Sequence, residues 1–298
     1  MKENEGDIMP LISIVIPCKN EGVNILNTVN SILQAENLLP YEIIVVDDAS
    51  SDKCVEPLRK INDERLRLLK TSGLGAPQAR NFGAAHANGE ILVFCDAHVF
   101  VPDKWLDIML KPLLLHDADV VSPAISPHDN PTNTGYGQKI NNKLEVQWYT
   151  TPPNSISEIA VSPGGCQAMT RNAFEMVGGY DDGFKVWGYE DIEISIKLWL
   201  FGFRLVVEPK VNVLHVFRQS HPYKVEYRHV HYNLLRMAVS HFNFRRYRKT
   251  IQLISDHSWA ESVIQEVNLS DSWAQRVRYL NNRKHDDEWF FAKFGINF

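Results

Sequence analysis

Two hydrophobic periods alternate along the first half of the chain. Leu11–Pro17 is a near-continuous apolar run stopped by proline, the pattern of a strand buried on both faces. Gly22–Leu33 then sets Val23, Ile25, Leu26, Val29, Ile32 and Leu33 at helical spacing. The alternation repeats. Glu42–Val46, Leu66–Leu69, Ile91–Cys95 and Val120–Ser122 read as strands, and Asp52–Ile61, Pro77–Ala87 and Asp103–Leu115 as the helices between them. Pro77 sits where a helix tolerates proline, in its first turn.

Strands alternating with helices predict an α/β fold whose mostly parallel sheet is covered on both faces. Ligands of such sheets bind beyond the carboxyl ends of the strands. Pro17-Cys18-Lys19-Asn20-Glu21, Asp47-Asp48 and Asp96-Ala97-His98 each fall at such an end, so three polar clusters converge on one edge. His128–Pro153 breaks the pattern. It is rich in Pro, Asn, Thr and Gly, carries Tyr136, Trp148 and Tyr149, and reads as either a mobile flap or an excursion that contacts substrate. Regularity returns with a helix at Glu190–Leu200, strands at Arg204–Glu208 and Val211–Val216, a helix across Tyr223–Tyr247 and further helix within Trp259–Phe298. No repeat or linker interrupts the chain. The expected organisation is a tail (1–10), a body (11–223) and a helical extension packed on the same domain (224–298).

Composition narrows the classes. Hydrophobic residues make up 44% and charged residues 22%, as in ordinary globular proteins. A net charge of −5 argues against a general nucleic-acid binder. No apolar run reaches the roughly 18 residues a membrane span needs. Met1–Pro10 lacks the basic start and apolar stretch of a signal peptide. Cys18, Cys54, Cys95 and Cys166 form no C-x-x-C pair, and packed, reduced thiols are the expectation. Both features point to a reducing, cytoplasmic setting.

Asp96 and His98 stand two apart at a strand end and so face the same way. Carboxylate with imidazole suits a borderline divalent ion such as Mn²⁺, with Mg²⁺ the alternative. An aspartate there is equally a turn residue. Asp48 either shapes a strand-to-helix turn or accepts hydrogen bonds from a nucleoside. Glu190 and Asp191 open a helix, where acids suit the dipole. The functional reading makes Asp191 a general base that deprotonates an acceptor hydroxyl. His215 ends a strand as a candidate third metal ligand, and Arg218 is a candidate diphosphate clamp. For each, an ordinary surface side chain is the competing reading. His229, His231 and His241 lack such context and read as helix-surface or core residues.

Ile14-Val15-Ile16-Pro17-x-x-Asn20-Glu21, Val46-Asp47-Asp48-Ala49-Ser50-Ser51-Asp52 and Ala79-Arg80-Asn81-x-Gly83 occur in this order. In them the chain resembles glycosyltransferases of the nucleotide-diphospho-sugar (GT-A) fold, of the broad family 2 type. The second half is similar to the catalytic domain of the polypeptide N-acetylgalactosaminyltransferases. That family has a D-x-H motif, a G-G segment, a W-G-G-E-N segment and an H-V-F-R-x-x-H-P-Y segment. Here they read Asp96-Ala97-His98, Gly164-Gly165, Trp187-Gly188-Tyr189-Glu190-Asp191 and His215 through Tyr223. The resemblance spans about Leu11 to Tyr223, and its last motif is long and specific.

The resemblance implies roles. Asp96, His98 and His215 would hold Mn²⁺. Pro17, Asp48 and Arg80 would surround a uridine, with Glu21 in the same donor site. Arg218, His221 and Tyr223 would close over the diphosphate. Gly164, Gly165, Trp187 and Glu190 would face the sugar and the acceptor. Two departures stand out. Tyr189 replaces a glycine, and Asp191 replaces the asparagine of the retaining enzymes. Glu-Asp here is typical of inverting family 2 enzymes. The leading expectation is therefore an inverting transferase. It would move an N-acetylhexosamine or hexose from a UDP-sugar to a hydroxyl of a saccharide, lipid-linked glycan or small molecule, with Asp191 as base. The alternative is a peptide or protein glycosyltransferase, retaining or not. A third reading, a non-catalytic sugar-nucleotide-binding module, is opposed by the intact Asp96, His98, Asp191 and His215.

Overall fold

A computed structural model describes residues 12–298; the tail at 1–10 lies outside them. The elements run β1 (Ile12–Cys18), α1 (Asn24–Gln34), β2 (Tyr41–Asp48), a 3-10 turn (Glu56–Lys60), β3 (Leu66–Thr71), α2 (Ala76–Ala85), β4 (Ile91–Cys95) and β5 (Val99–Phe100). Next come α3 (Trp105–Met109), α4 (Lys111–Leu114), β6 (Val120–Pro127), β7 (Gln138–Ile140), β8 (Val146–Trp148), β9 (Ser157–Glu158), β10 (Cys166–Thr170) and α5 (Arg171–Met176). The remainder is α6 (Glu190–Phe201), β11 (Leu205–His215), α7 (Tyr227–His241), α8 (Phe244–Ile254), α9 (Ala260–Leu269), α10 (Ser272–Asn282) and α11 (Asp287–Lys293).

The central sheet has the order β3-β2-β1-β4-β10-β6-β11-β5, with β9 also on β11. β1, β2, β3 and β4 pair in parallel, as do β6 and β11, and β10 enters antiparallel between β4 and β6. Alternate residues of one strand feed two cores. Val15, Ile44 and Phe94 join one cluster with α6 and the C-terminal helices; Ile14, Ile43 and Val93 join the other with α1 and α3. Burial on both faces is why these strands read as unbroken apolar runs. The architecture is the GT-A fold.

Several boundaries differ from the sequence expectation. Asp52–Ile61 forms only a short 3-10 turn, with Pro57 near its start and Lys53 at φ +60°. Asp103–Leu115 splits into α3 and α4 at Leu110, because Pro112 has no N–H to continue the ladder. The two strands expected at 204–216 are one, β11, with an irregularity between Glu208 and Asn212 at Pro209. The long helix expected from Tyr223 breaks at Phe242, and Asn243 caps α8 by accepting from the Arg246 N–H at 3.0 Å. β5, β9 and β10 were not expected. All four cysteines are buried and free, and their sulfurs meet in two pairs at 3.6 Å, Cys18 with Cys54 and Cys95 with Cys166. Among the described residues no helix is long and apolar enough to cross a membrane.

The C-terminal helices pack on α6 and the loop before it. Arg236 of α7, 1% exposed, donates to Asp181 at 2.9 Å, to Asp271 at 2.6 Å and to Gln275 at 3.0 Å. His241 Nε2 lies 2.8 Å from Glu193 of α6. These contacts fix the helix that starts at Glu190 and Asp191.

Candidate active site

The carboxyl ends of β1, β2 and β4 open into a cavity of about 620 Å³. Every residue singled out above as a candidate for donor, metal or catalysis lines it. Asp96 leaves the end of β4 with its N–H donating to the Gly165 carbonyl at 3.0 Å. His98 follows two residues later, and His215 is the last residue of β11, paired with Val99 of β5. One ligand atom from each of Asp96, His98 and His215 lies within 4.8 Å of the others. His215 Nε2 is 3.1 Å from Asp96 Oδ2, and His98 Nε2 is 3.8 Å from it. Gly165 makes this approach possible: a Cβ there would stand 2.9 Å from the His215 ring. A carboxylate and two imidazoles facing one point are a fitting donor set for a borderline divalent ion.

The surrounding charges orient these ligands. His98 turns its other nitrogen, Nδ1, to Glu21 Oε2 at 3.3 Å, and the same carboxylate pairs with Arg218. A carboxylate behind a metal-facing imidazole favours the tautomer that leaves Nε2 free. Burial acts to raise the Glu21 pKa, but His98 and Arg218 outweigh it and hold the group below the usual range. Asp96 behaves alike: burial is overcome by His215, His98 and Arg80, so it stays ionised. Arg80, 4% exposed, bridges Asp96 at 3.0 Å and Glu190 at 3.3 Å.

Asp48 shapes a different turn from the one expected after β2. It accepts from the Thr71 hydroxyl at 2.6 Å and from the Leu74 and Gly75 N–H groups, so it shapes the loop before α2 while lining the cavity. Burial opposes its ionisation, but these hydrogen bonds and Lys19 lower its pKa on balance. Glu190 accepts from the Gly188 N–H at 2.6 Å and so closes the turn into α6. Asp191 accepts from the Gly164 N–H at 3.4 Å and from its neighbour Ile192 at 2.9 Å. Burial first, and then the charge of Glu190, push its carboxyl up to about 6. That is the range of a group that can take and give a proton near neutrality.

The segment after β11 lies over these residues. Arg218 reaches Glu21, the His221 ring meets Trp187 with centroids 4.3 Å apart, and the Asn20 amide donates to the Pro222 carbonyl at 3.4 Å. Sequence reasoning missed part of the lining. Leu144, Glu145 and Val146 come from the β7–β8 hairpin, and Gly73, Leu74 and Gly75 from the loop after β3. The aromatic content of His128–Pro153 flagged the hairpin's region but not these residues. The pair of glycines at 73 and 75, with φ of +100° and +89°, was the readable sign of the loop.

The GT-A fold and the cavity together frame a candidate active site with three residues that could hold a divalent ion. The comparisons give the family. Residues 13–178 match the profile of glycosyl transferase family 2, and residues 151–229 match the N-terminal domain of galactosyltransferase. The chain belongs to glycosyl transferase family 2. It is 34% identical over 240 residues to polypeptide N-acetylgalactosaminyltransferase 11 of Xenopus tropicalis, covering 72% of this chain and 39% of that protein. It is 32% identical over 247 residues to a probable N-acetylgalactosaminyltransferase 8 of Caenorhabditis elegans, covering 74% and 58%. The chain thus spans between about two fifths and three fifths of the length of these relatives. In structure it is similar to GalNAc-T7 solved with UDP, GalNAc and Mn²⁺ (TM-score 0.75, 20% identity, 97% of this chain and 57% of the other). It is also similar to S. aureus TarS 1-349 in complex with UDP-GlcNAc (TM-score 0.60, 16% identity, 94% and 83%).

Proposed function

We propose that the chain is a metal-dependent glycosyltransferase that moves an N-acetylhexosamine from a UDP-sugar to a hydroxyl of a peptide or protein. The observation that carries this is the meeting of Asp96, His98 and His215 beside Arg80, Glu190 and Asp191 in one cavity. The relatives named as polypeptide N-acetylgalactosaminyltransferases support the peptide acceptor over the saccharide acceptor expected from the sequence alone.

Asp96, His98 and His215 would hold Mn²⁺, which supplies positive charge to the departing diphosphate. The protein's own part is positioning. Glu21 orients His98, and Arg218 is the cation placed to leave Glu21 for a phosphate. Arg80 holds Asp96 and Glu190 in register, keeping the metal-facing carboxylate and the turn into α6 at a fixed separation. Asp191 takes the acceptor proton, and the Gly164 N–H steadies its carboxylate.

One observation favours a second reading. Asp191, with its pKa raised to about 6, is equipped as the base of an inverting displacement, and that chemistry also serves a saccharide hydroxyl. Mass spectrometry of products from peptide and glycan panels, with UDP-N-acetylhexosamines and Mn²⁺, decides between them. Transfer to a peptide Ser or Thr is the expected outcome. Transfer to glycans alone makes the second reading correct, and no metal-dependent UDP binding removes both. The anomeric signal of the product, read by NMR, reports inversion through Asp191 or its absence.

A further inference from the structure

Tyr189 occupies the left-handed region, φ +67°, immediately before Glu190 and Asp191. A Cβ is crowded in that conformation, and a bulky aromatic residue there is an outlier, since glycine or asparagine is the low-energy choice. The loop around it is equally unusual: Val186 has φ +46° and Gly188 +104°. The backbone is held by its surroundings. The Ala76 N–H donates to the Val186 carbonyl at 2.8 Å, and the Asn233 amide donates to the carbonyls of Lys185 and Gly188, each at 2.9 Å. None of these contacts uses the Tyr189 side chain. The loop would keep its shape with glycine, yet it carries an aromatic ring at an energetic cost. Costs of this kind persist where the side chain serves function.

The ring lines the cavity that also holds Leu144, Glu145 and Trp148 of the hairpin region. It packs against the apolar cluster that contains Leu144. Burial, with a smaller push from the Glu145 charge, raises its hydroxyl to about 12, so the group stays neutral. The side chain therefore lies in the wall of the cavity that Asp191 also lines, with the charge of Glu145 acting on its hydroxyl.

Resting on the peptide-acceptor reading above, we propose that Tyr189 is a specificity-determining residue of the acceptor site. Its ring, backed by the buried Leu144 and accompanied in the lining by Trp148, forms the wall against which the residue flanking the modified Ser or Thr packs. An apolar flank gains by leaving water there. A charged flank loses hydration without a partner, and Glu145 repels an acidic one.

The test compares acceptor peptides identical except for a flanking Val, Gln or Glu, with UDP-sugar and Mn²⁺ present, for the wild type and the Tyr189→Phe, Tyr189→Ala and Tyr189→Gly variants. The wild type should favour Val over Glu by about tenfold or more in kcat/KM. Tyr189→Phe should keep that ratio. Tyr189→Ala and Tyr189→Gly should cut it below about threefold, through KM, while UDP affinity with Mn²⁺ stays within about twofold. Glycine at 189 should melt above alanine, because only glycine relieves the strain. An unchanged Val-to-Glu ratio in a Tyr189→Ala protein that still binds UDP overturns the proposal. So does a wild type indifferent to the flank. A wild type that binds and hydrolyses the donor but modifies no peptide removes the peptide-acceptor reading itself, and is told apart by that donor signal.

Discussion

Helix α6 carries two groups of charge, one turn apart, that have opposite characters. Glu193 and Lys197 face the interior with His241; all three are 0–1% exposed. Lys197 Nζ lies 3.2 Å from Glu193 Oε1 and donates to the Gly179 carbonyl at 2.6 Å. Burial raises the Glu193 pKa, but Lys197 and His241 overcome it and the group is held low. Two residues earlier in the chain, Asp191 is shifted upward by burial and by Glu190. The same helix thus spends one set of charges on mutual pairing and leaves the other short of cations. Arg80 bridges Asp96 and Glu190, whereas the hydrogen bonds to Asp191 come from backbone N–H groups. Pairing marks a structural cluster, and incomplete pairing marks a site.

The contrast is broken most severely at Asp96. Asp96→Ala should lower transfer by about a thousandfold or more, since the ion that would neutralise the departing diphosphate loses one of its proposed ligands. Thermal stability in the absence of metal should fall as well, because Asp96 is held ionised by His215, His98 and Arg80 and its loss leaves Arg80 and His215 each short of a partner. A variant that keeps UDP affinity with Mn²⁺ in calorimetry would falsify the metal assignment. Next is Asp191→Asn, which removes the proposed base: a loss of about 10²–10⁴-fold in kcat is expected, with UDP binding intact. A retained rate would assign the acceptor proton elsewhere.

In the interior the readout changes from rate to folding. Lys197→Met leaves Glu193 with only His241, and breaking a buried pair from one side costs roughly 3–5 kcal/mol. Urea unfolding should show that loss, while donor affinity of the remaining folded protein stays near wild type. Equal stability of the variant would mean that the interior cluster does not hold α6. Glu21→Gln is milder. It keeps shape but weakens the carboxylate behind His98, and changes of that kind typically cost about 10–100-fold in metal affinity. Mn²⁺ titration followed by electron paramagnetic resonance reads it directly, and an unaltered affinity would show that His98 needs no such support.

Much of the cavity cluster was legible in the sequence, and little of the interior one was. Asp96, His98, Asp191 and His215 lie at strand or helix ends, where a linear pattern reports which edge a residue faces. Motif order then joined positions over a hundred residues apart. Glu193, Lys197 and His241 looked like unremarkable helix residues, because their partnership needs α7 to lie across α6, and no local period encodes that. Tyr189 was visible only as a departure from a glycine; its left-handed backbone and its place in the cavity wall required the fold. The antiparallel β10 escaped for a similar reason. Cys166–Thr170 is short, and its pairing with β4 and β6 is set by neighbours distant in sequence.

A pH response sharpens the comparison most, because its sign separates Asp191 from Glu193 on the same helix. A carboxyl raised from 3.8 to about 6 binds more protons folded than unfolded across that window. Its contribution is therefore neutral at low pH and becomes a penalty as pH rises through the window, reaching at most about 3 kcal/mol above it. Asp191→Asn deletes the penalty. The variant should gain stability over the wild type at pH 8 but not at pH 4, as measured by urea unfolding at both. Glu193, held low by its partners, should show the opposite: Glu193→Gln loses stability relative to the wild type at pH 8, and less so as pH falls below the ordinary carboxyl range. The same raised group predicts that wild-type kcat, with donor and Mn²⁺ saturating, climbs with pH through about 6 as the base ionises. An Asp191→Asn advantage of equal size at both pH values, or a kcat flat between pH 5 and 7, would show that the cavity carboxylate is held ionised by its partners as the interior one is.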